Sequence, residues 1–547
     1  MTLLTVNTVS KRHGDTPILE SVSFTINPGE RIGLIGPNGA GKTTLMRLIA
    51  GIDQPDSGSI SIAPHIRIGY LRQGFTDLLA GNLADLLDIP TNGLLAAQAE
   101  LEAATAAFAN PEIDADDTAA AYDSALSRFE AAGGYGGIDA LQALLGKFHL
   151  ADVPLTRELG TLSGGQKTRA GLAGLLASEP DLLILDEPTN HLDAEAQAWL
   201  AEFLRTCRSA VLVVSHDRGF LDDVVSRIFA LDPLTHHLTV YAGNYSDYVT
   251  AKQHEEEEHL ASWQRQQKEI RRIEQDIRTT EAKARGIEAS TIDYAIRKKA
   301  AKIARPAVVR KAKLERMLES TDAVEKPVQT WGMAASFESS HEGPRDVAIV
   351  TDASVSLGGE LVLAGVSIHL RHGDRVGITG PNGSGKTTLL RLLSGNLEPD
   401  AGSVRLGSGV RVGYFAQEQE SLDLGLTVLE QARREAVMSE SDIRTFLHKY
   451  LFKGDAVHRR IGNLSYGERA RLMLALMALR GTGLLLLDEP LNHLDIDARE
   501  SFERALEQFD GTLVFVVHDR YALERLASRV IEIRDGTLHE LDLAATA

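Results

Sequence analysis

The sequence predicts an α/β fold in which one domain occurs twice in tandem, and a long charged helical segment joins the two copies. The run "GPNGAGKTT" at residues 36–44 recurs as "GPNGSGKTT" at 380–388. Likewise "LLILDEPTNHLD", which ends at Asp193, recurs as "LLLLDEPLNHLD", which ends at Asp495. Such apolar runs are typical of buried parallel strands. A length of 547 residues exceeds what one core supports and agrees with two or more domains.

The spacing of the motifs indicates a duplication with one asymmetric addition. The loop lysine and the glutamine that ends the next shared motif are 31 residues apart in both copies, from Lys42 to Gln73 and from Lys386 to Gln417. From these glutamines to the serine of "LSGGQ" or "LSYGE", however, the interval is 90 residues in the first copy and 48 in the second. The first copy therefore carries an insertion of 42 residues.

The two glycine-rich loops predict phosphate-binding sites, because each follows a strand-like run and leads into a helical pattern. Their glycines let backbone N–H groups approach phosphates, and the helix N-terminus adds a favourable dipole. We expect Lys42 to reach the β- and γ-phosphates of a nucleotide and the Thr43 hydroxyl to bind Mg²⁺. The predicted nucleotide-binding residues of the loops are Gly36, Asn38, Gly39, Gly41, Lys42, Thr43 and Thr44, with Gly380, Asn382, Gly383, Gly385, Lys386, Thr387 and Thr388 as their counterparts.

A pair of adjacent acids follows each "LLIL" or "LLLL" run. Asp186 stands where a strand end can hold Mg²⁺ through water, and Glu187 is placed to polarise an attacking water as general base. Asp488 and Glu489 repeat the pair in the second copy. We expect both pairs to act in catalysis rather than as solvated strand ends.

A histidine follows a further apolar run in each copy, 29 residues after the glutamate. A lone histidine after a strand is most often structural. Because the spacing is shared, we expect His216 and His518 to contact a γ-phosphate.

Composition limits the possible classes of protein. The formal net charge is −19 and Cys207 is the single cysteine, which excludes a disulfide framework and a cysteine-based zinc or iron–sulfur site. No apolar run approaches the roughly 18–20 residues that cross a bilayer. The first residues also lack the pattern of a secretory signal. We expect a cytoplasmic protein.

Together these motifs resemble the ATP-binding cassette (ABC) superfamily over about residues 1–250 and 330–540. The resemblance implies two ABC-type P-loop ATPase domains in tandem that sandwich two ATP molecules head to tail and hydrolyse both. Each site would be completed by the signature motif of the other copy. One site would use Lys42, Gln73, Glu187 and His216 with Ser465 and Gly467; the other would use Lys386, Gln417, Glu489 and His518 with Ser163 and Gly165. The implied Mg²⁺ ligands are Thr43, Gln73 and Asp186 in the first site and Thr387, Gln417 and Asp488 in the second.

The position that stacks on adenine departs from this superfamily. An aromatic residue is usual there, whereas this chain has His13 in the first copy and Leu357 in the second. Histidine can still stack, but leucine offers only apolar contact. The base preference of the second site therefore stays open.

The insertion in the first copy predicts a helical arm at about 88–134. Residues 94–108 and 118–132 are rich in alanine and leucine with helical spacing, and "NPEIDADD" between them predicts a turn. We expect a helical hairpin that projects from the first domain. A solvated addition without a partner is the alternative.

A helical hairpin is also predicted for the linker. Residues 252–285 contain no proline. A helix of about 34 residues is roughly 50 Å long, which is too long to lie wholly within one domain. Residues 286–294 would form the tip, and 294–318 a return helix that Pro306 kinks. The expected domains are 1–250 and 327–547, joined by a linker at 251–326.

Positive charge is concentrated in the return helix. Between Arg297 and Arg316 there are nine Lys or Arg and one acid, Glu315. A solvated face is the usual explanation of such a run. On a protruding hairpin of an acidic chain we favour contact with a nucleic-acid backbone. The predicted RNA-binding residues are Lys298, Lys299, Lys302, Arg305, Arg310, Lys311 and Lys313.

The arm, the charged linker, "GNYSDY" before it and "NHLD" in both copies are similar to the ABC-F family of tandem-cassette translation factors. The resemblance implies a monomer that binds the ribosome with ATP near its E site, and a linker that reaches ribosomal RNA and the P-site tRNA. Some members rescue stalled ribosomes and others confer antibiotic resistance; the sequence leaves this choice open.

The same motifs admit two alternative classes of protein. One is the tandem ATPase subunit of a transporter with separate membrane subunits, which does not need a long basic hairpin. The other is a DNA-repair or chromosome-structural ATPase. That class is expected to carry zinc-binding cysteines or far longer coiled coils than this linker.

Overall fold

The computed structural model describes residues 2–71, 81–88, 91, 93–108, 115–190, 192, 194–289, 306, 308–312, 345–415, 422–436, 438–491, 494–517 and 519–541. The chain forms two compact units. Met1–Tyr245 and Gly332–Ala547 make one unit, which contains both copies of the repeated domain, and Ser246–Trp331 make the other.

The two copies have the same sheet topology. The strands described in the first copy are β1 Leu4–His13, β2 Thr16–Ile26, β3 Arg31–Ile35, β4 Ser57–Ile62, β5 Ile68–Leu71, β6 Leu182–Asp186, β7 Ala210–Val214, β8 Arg227–Leu231 and β9 Leu238–Ala242. They form a small antiparallel sheet, β2-β1-β4, and a six-stranded sheet, β5-β6-β7-β3-β8-β9, that is parallel except at β9.

The second copy repeats this arrangement strand for strand. Its described strands are β10 Asp346–Leu357, β11 Glu360–Arg371, β12 Arg375–Thr379, β13 Ala401–Leu406, β14 Val412–Phe415, β15 Leu484–Asp488, β16 Thr512–Val516, β17 Arg529–Arg534 and β18 Thr537–Leu541. The sheet orders are β11-β10-β13 and β14-β15-β16-β12-β17-β18. The tandem α/β duplication predicted from the motifs is confirmed.

Helices follow the strands in both copies. Those described in the first copy are α1 Lys42–Ile49, α2 Leu83–Asp88, α3 Leu94–Phe108, α4 Ala115–Ala131, α5 Gly134–Lys147, α6 Gly164–Ala177, α7 Ala194–Thr206 and α8 Arg218–Val224, and α9 Tyr245–Ala289 leads into the linker. Those described in the second copy are α10 Lys386–Ser394, α11 Val428–Glu435, α12 Glu440–Lys449, α13 Tyr466–Leu479, α14 Ile496–Glu507 and α15 Arg520–Leu526.

The central strands are buried on both faces, which explains their unbroken apolar sequences. Every residue of β6, β7, β15 and β16 is buried. In the first copy the apolar face of α1, including Leu45 and Ile49, packs in one core with β3, β6 and β7. Parallel strands covered by helices place their carboxyl ends at one edge of the sheet, where ligands bind in open α/β folds.

The inserted arm has a small core of its own. Leu94 and Leu101 of α3 are buried with Ala125 and Phe129 of α4, and Ile138 of α5 joins them. The observed bounds, Leu94–Phe108 and Ala115–Ala131, agree with the predicted helices at 94–108 and 118–132. The turn predicted between them falls mostly outside the described residues.

The long linker helix begins earlier and ends later than predicted. It runs from Tyr245 to Ala289 rather than over 252–285. The predicted tip was therefore wrong at its start, because residues 286–289 continue the helix. One glycine costs a helix interior only about 1 kcal/mol, and the glutamate and alanine that follow favour helix.

Part of the predicted return helix is described. Pro306 and residues 308–312 are helical. Arg310 donates from Nη1 to Oγ1 of Thr280 at 3.4 Å, and its Nε lies 3.9 Å from Oδ2 of Asp276, so the segment lies beside α9. The predicted kink at Pro306 stays a prediction, because most of its neighbours lie outside the described residues. Within the described part of the chain, we find no helix with the length and apolar character of a membrane span.

A buried ionic contact joins the two copies. Arg218 at the start of α8 donates to both carboxylate oxygens of Glu503 on α14, at 3.3 and 3.0 Å. The two side chains are 7% and 0% exposed. Arg525 adds a third donor to Glu503 at 3.1 Å. Beside this pair, the hydroxyl of Tyr521 donates to Oδ2 of Asp222 at 2.6 Å.

We expect Glu503→Leu to lower the free energy of unfolding by about 3–5 kcal/mol, because it leaves the Arg218 guanidinium buried without its partner. Denaturant titration measures the loss. The double change Arg218→Leu and Glu503→Leu should recover most of it, since neither charge then needs compensation. As a matched control, Glu202→Leu breaks the exposed pair with Arg205 and should cost less than about 1 kcal/mol. A loss from Glu503→Leu no larger than this control contradicts the prediction.

Candidate nucleotide-binding sites

Glycine shapes the loop that leads into α1 and its counterpart before α10. Gly41 has a φ of 100°, and a Cβ there would lie 2.7 Å from Cγ2 of Ile18. Gly385 has a φ of 103°, and its Cβ would lie 2.9 Å from Cδ2 of Leu363. A left-handed backbone without room for a side chain requires glycine. Both copies therefore use the same turn to begin a helix at the lysine.

The lysine of each loop is fixed to that loop. Nζ of Lys42 donates to the carbonyl oxygens of Gly36 at 2.6 Å and Pro37 at 3.1 Å. Nζ of Lys386 donates to the two corresponding carbonyls, both at 2.8 Å. Both lysines are less than a tenth exposed. Each ammonium is thereby held at the loop that the sequence predicts to bind phosphates.

The predicted Mg²⁺ ligands Thr43 and Asp186 are in contact. Oγ1 of Thr43 donates to Oδ2 of Asp186 at 3.0 Å. Burial raises the pKa of Asp186, while Thr43 and Lys42 oppose the rise. A hydroxyl and a buried carboxylate at this distance are hard oxygen donors of the kind that Mg²⁺ prefers. The residues present therefore fit the ion.

Asp488 has similar surroundings in the second copy, where Thr387 and Tyr414 are its hydrogen-bond neighbours. Burial raises its pKa, and hydrogen bonds from Thr387 and Tyr414 lower it. The Tyr414 hydroxyl lies 3.4 Å from Oδ2 of Asp488.

Glu187 and Glu489 occupy a backbone conformation that sequence reasoning missed. Their φ angles are 53° and 47°, in the left-handed region that non-glycine residues rarely adopt. Each directly follows a strand, and the N–H of Glu187 donates to the carbonyl of Val214 at 2.9 Å. Such strain persists where the surroundings determine the conformation, and it is concentrated at functional sites. The unfavourable φ is therefore repeated, in both copies, at the residue that we expect to act as general base.

Two contacts join Glu187 to His216. Nε2 of His216 lies 3.2 Å from Oε1, and the backbone N–H of His216 donates to Oε2 at 3.3 Å. Burial raises the pKa of Glu187 to about 8; Arg499 and Lys42 oppose this rise. A buried carboxylate with a raised pKa is suited to accept a proton from water.

A cavity of about 250 Å³ brings most predicted residues of the first site together. It lies between the loop, the acid pair and the histidine. Its lining includes Asn38, Gly39, Gly41, Lys42, Thr43, Thr44, Asp186, Glu187 and His216. Ile18 also lines this cavity, and no feature of the sequence singled it out.

The two signature motifs open helices, as predicted. Ser163 and Ser465 are the N-caps of α6 and α13, and each side chain accepts a hydrogen bond from the backbone N–H three residues later. The second motif has Glu468 where the first has Gln166, and Arg459 pairs with this acid at 2.8 Å. Burial alone would raise the pKa of Glu468, but its hydrogen bonds and Arg459 hold it below the usual value.

The phosphate-binding loop of each copy lies at the surface where the two copies face each other. The backbone N–H of Asn38 donates to Oδ2 of Asp495, which follows the acid pair of the second copy, at 2.9 Å. Conversely, Asn382 and Glu489 of the second copy share a small cavity of about 50 Å³ with Asn190 and Leu192 of the first. Both loops therefore lie beside the opposite copy, while the head-to-tail pairing of each loop with the opposite signature motif stays a prediction.

Several predicted residues are not brought into these cavities. Ser163, Gly165, Ser465 and Gly467 line neither the 250 Å³ cavity nor the 50 Å³ cavity. The same holds for His13 and Leu357. Gln73, Gln417, His518, Lys298, Lys299, Lys302, Arg305 and Lys313 lie outside the described residues. Their roles stay predictions.

Two aspartates meet where the copies face each other. Asp217 caps α8 by accepting from the N–H of Phe220 at 2.9 Å, and Asp519 caps α15. Both line the 50 Å³ cavity. Burial and the neighbouring charge of Asp519 raise the pKa of Asp217 to about 6.

We expect Asp217→Asn to stabilise the protein above about pH 6, since asparagine keeps the helix cap and removes the charge. The pKa is raised from 3.8 to about 6, so between these values the folded state holds a proton that the unfolded chain has released. Stability from this group therefore falls as pH rises through that window and is lost above it. Denaturant titration from pH 4 to 8 should show that the free energies of unfolding of the variant and the parent converge at the acid end.

The exposed acid Asp455 provides the control for this pH dependence. Asp455→Asn removes one negative charge at a residue with an exposed side chain. This change should alter the free energy of unfolding little, and by the same amount at every pH in this range. A constant difference between Asp217→Asn and the parent from pH 4 to 8 contradicts the account of Asp217.

Comparison with known proteins identifies the family. A family model described as "ABC transporter" matches residues 19–190 and 363–492. A second model with the same description matches residues 234–334, which contain the linker. The first model covers one segment in each copy of the duplication.

Three relatives match nearly the whole chain. The tylosin resistance ATP-binding protein TlrC of Streptomyces fradiae is 35% identical over 98% of this chain and 98% of its own. The energy-dependent translational throttle protein EttA of Escherichia coli K12 is 33% identical over 96% of this chain and 90% of its own. ABC transporter F family member 5 of Arabidopsis thaliana is 33% identical over 97% of this chain and 75% of its own.

A solved structure described as RNase-L Inhibitor has a similar fold. Its TM-score is 0.59 at 20% identity, and the match covers 98% of this chain and 91% of that one. The duplicated sheets, the matched family model and the relatives all indicate two ATP-binding cassettes in one chain. The chain belongs to the ABC-F family, whose members are ATP-binding, ATP-hydrolysing proteins with two cassettes in tandem.

Proposed function

We propose that this protein is a translation factor or an antibiotic-resistance factor that binds the ribosome with ATP bound and leaves it after hydrolysis. The observation that carries the proposal is that relatives named for a translational throttle and for tylosin resistance match the chain along nearly its whole length. The linker lies within a segment matched by a family model. Function would therefore depend on the cassettes and the linker together.

In the first ATP site, the P-loop holds the phosphates and Glu187 accepts the proton of the attacking water. Lys42 is already fixed to the loop, so little conformational entropy of its side chain is lost when phosphates bind. His216 touches both carboxylate oxygens of Glu187 and keeps that side chain aimed at the cavity. Thr43 and Asp186 would hold Mg²⁺, which neutralises phosphate charge. Gln73 would complete this set.

The second site would use the equivalent groups. Lys386, Thr387, Asp488 and Glu489 repeat the geometry of the first loop and strand end, and Gln417 and His518 would complete it. Ser465 with Gly467 would close the first site, and Ser163 with Gly165 the second. Both serines cap helices, and a helix N-terminus favours an anion such as a γ-phosphate.

The linker would carry ATP-driven closure of the cassettes to RNA. A straight helix of the 45 residues of α9 is about 68 Å long. Arg310 and Lys311, two of the predicted RNA-binding residues, lie on a helical segment beside α9. Ribosomal RNA and the P-site tRNA are the proposed contacts. We propose further that the protein acts as a monomer in the cytoplasm, since both cassettes lie on one chain.

The competing function is the ATPase subunit of a transporter, which would recruit separate membrane subunits. A tandem-cassette ATPase can serve either role, and the matched family models share the description "ABC transporter". The cell fraction distinguishes them, because a ribosome-binding factor sediments with ribosomes and a transporter subunit with membranes.

We predict that changing Glu187 and Glu489 together to Gln makes the protein accumulate on ribosomes in the presence of ATP. The amides cannot accept the proton of water, so hydrolysis should fall by a factor of about 100 or more while ATP binding continues. Co-sedimentation through a sucrose cushion with and without ATP measures the complex. Unchanged ribosome binding, with capture on membranes instead, contradicts the proposal.

We also predict that Lys298, Lys299 and Lys302 changed together to Glu abolish ribosome binding at physiological salt. For each lost phosphate contact, the slope of the logarithm of the binding constant against the logarithm of the salt concentration should become shallower by about 0.7–0.9. Co-sedimentation over a salt series measures the effect. The control changes three exposed bases of the cassettes, Lys147, Arg405 and Lys453, to Glu for an equal change of net charge. Equal binding by the two triple variants contradicts a role for the basic helix.

A further inference from the structure

Two buried hydroxyl groups join the loop of Glu187 to the loop of His216 in the first cassette. The side-chain oxygens of Thr189 and Ser215 are 3.1 Å apart, and both residues are buried. The Ser215 hydroxyl also accepts a hydrogen bond from the backbone N–H of Asp217 at 3.0 Å, which closes a turn around His216. A chain of hydrogen bonds therefore runs from the residue two after Glu187 to both sequence neighbours of His216.

This hydroxyl pair lies beside a connection that the backbone makes. The N–H of Glu187 donates at 2.9 Å to the carbonyl of Val214, the residue before Ser215. Glu187 has the left-handed φ of 53°, a conformation that persists only where the surroundings determine it. Two connections at consecutive residues restrict the relative rotation of the loops as well as their separation. Both lie next to the contact between Glu187 and His216, in which Nε2 lies 3.2 Å from Oε1.

The duplication replaces both hydroxyls in the second cassette. Its residue two after the glutamate is Leu491, and its residue before the histidine is Val517. Leucine and valine side chains can neither donate nor accept a hydrogen bond, and these two are buried in one apolar core. The backbone connection is kept, since the N–H of Glu489 donates to the carbonyl of Val516 at 3.1 Å. The two cassettes therefore share the backbone connection and differ in the side-chain connection.

We propose that Thr189 and Ser215 are positioning residues of the first ATP site, and that the apolar pair of the second copy makes the two sites inequivalent. A hydrogen bond has a preferred length and angle, whereas apolar contact is non-directional. The hydroxyl pair would therefore hold the carboxylate of Glu187 in one orientation toward the attacking water. A preorganised group lowers the barrier because it needs no reorganisation during the reaction. The inference rests on the site assignment proposed above.

Single-site variants with matched side chains test this role. With Glu489→Gln, only the first site hydrolyses ATP. In that background Ser215→Val, which copies the second cassette, should slow single-turnover hydrolysis about tenfold, which corresponds to about 1.4 kcal/mol. Ser215→Thr has the shape of valine but keeps the hydroxyl, so it should recover most of the rate. The ATP concentration for half-maximal rate should change less than about twofold in both variants, because the pair orients the base and does not bind ATP.

The contact can also be removed from its other side and built into the other cassette. In the same background Thr189→Val should slow hydrolysis as Ser215→Val does, and both changes together should cost little more than either alone, because they remove one contact. Conversely, Leu491→Thr with Val517→Ser supplies two hydroxyls to the second cassette. With Glu187→Gln, where only the second site hydrolyses ATP, this double change should speed hydrolysis about threefold, the lower end of what one hydrogen bond contributes.

Thermal unfolding checks each variant, and Ser215→Ala replaces Ser215→Val if the larger side chain prevents folding. Equal rates of the valine and threonine variants overturn the role of the hydroxyl, because a merely structural role depends on shape. An unchanged rate of the second site after the reciprocal change overturns the inequivalence of the sites. If the variant with both glutamates changed still hydrolyses ATP at the parent rate, the site assignment itself fails.

Discussion

The two cassettes meet through charged side chains that are buried between them. Glu503 is fully buried, and its partner Arg218 comes from the other copy; Arg499 lies in the same interface. A buried charge is tolerated only while its partner remains in place. The cassettes must therefore meet or separate as whole surfaces, with these groups either paired or returned to water. In the proposed function, nucleotide phosphates would add further charge to the same surface, so ATP would control closure.

The sheets and helices place the chemical groups at this surface. Buried strands β6 and β15 end in an aspartate, and the next residue turns into a left-handed conformation in both copies. The phosphate-binding loop leaves β3 or β12 at the same edge of the sheet. Because these strands are parallel, lysine, threonine, aspartate and glutamate meet without a long connecting loop. The duplicated topology then supplies the site twice.

Much of the fold and the candidate site could be predicted because it depends on local pattern. Apolar runs located the strands, and alanine-rich spacing located α3 and α4. The end of α9 could not be predicted, since a single glycine at 286 interrupts a helix only weakly. The left-handed glutamates have no sequence signal, because the hydrogen bonds that hold them come from distant strands. The pairing of Arg218 with Glu503 joins residues 285 positions apart, and only the paired cassettes bring it about.

If ATP holds the cassettes together and thereby directs the linker to RNA on the ribosome, as we propose, one complex should show both effects. The most direct measurement is a cryo-electron microscopy map of ribosomes bound by the hydrolysis-deficient protein with ATP. We expect two nucleotides between closed cassettes, with the buried contact of Arg218 and Glu503 intact. We also expect density for the linker against ribosomal RNA or the P-site tRNA. Closed cassettes whose linker touches no RNA, or ribosomes without the protein, are the results that rule out this function.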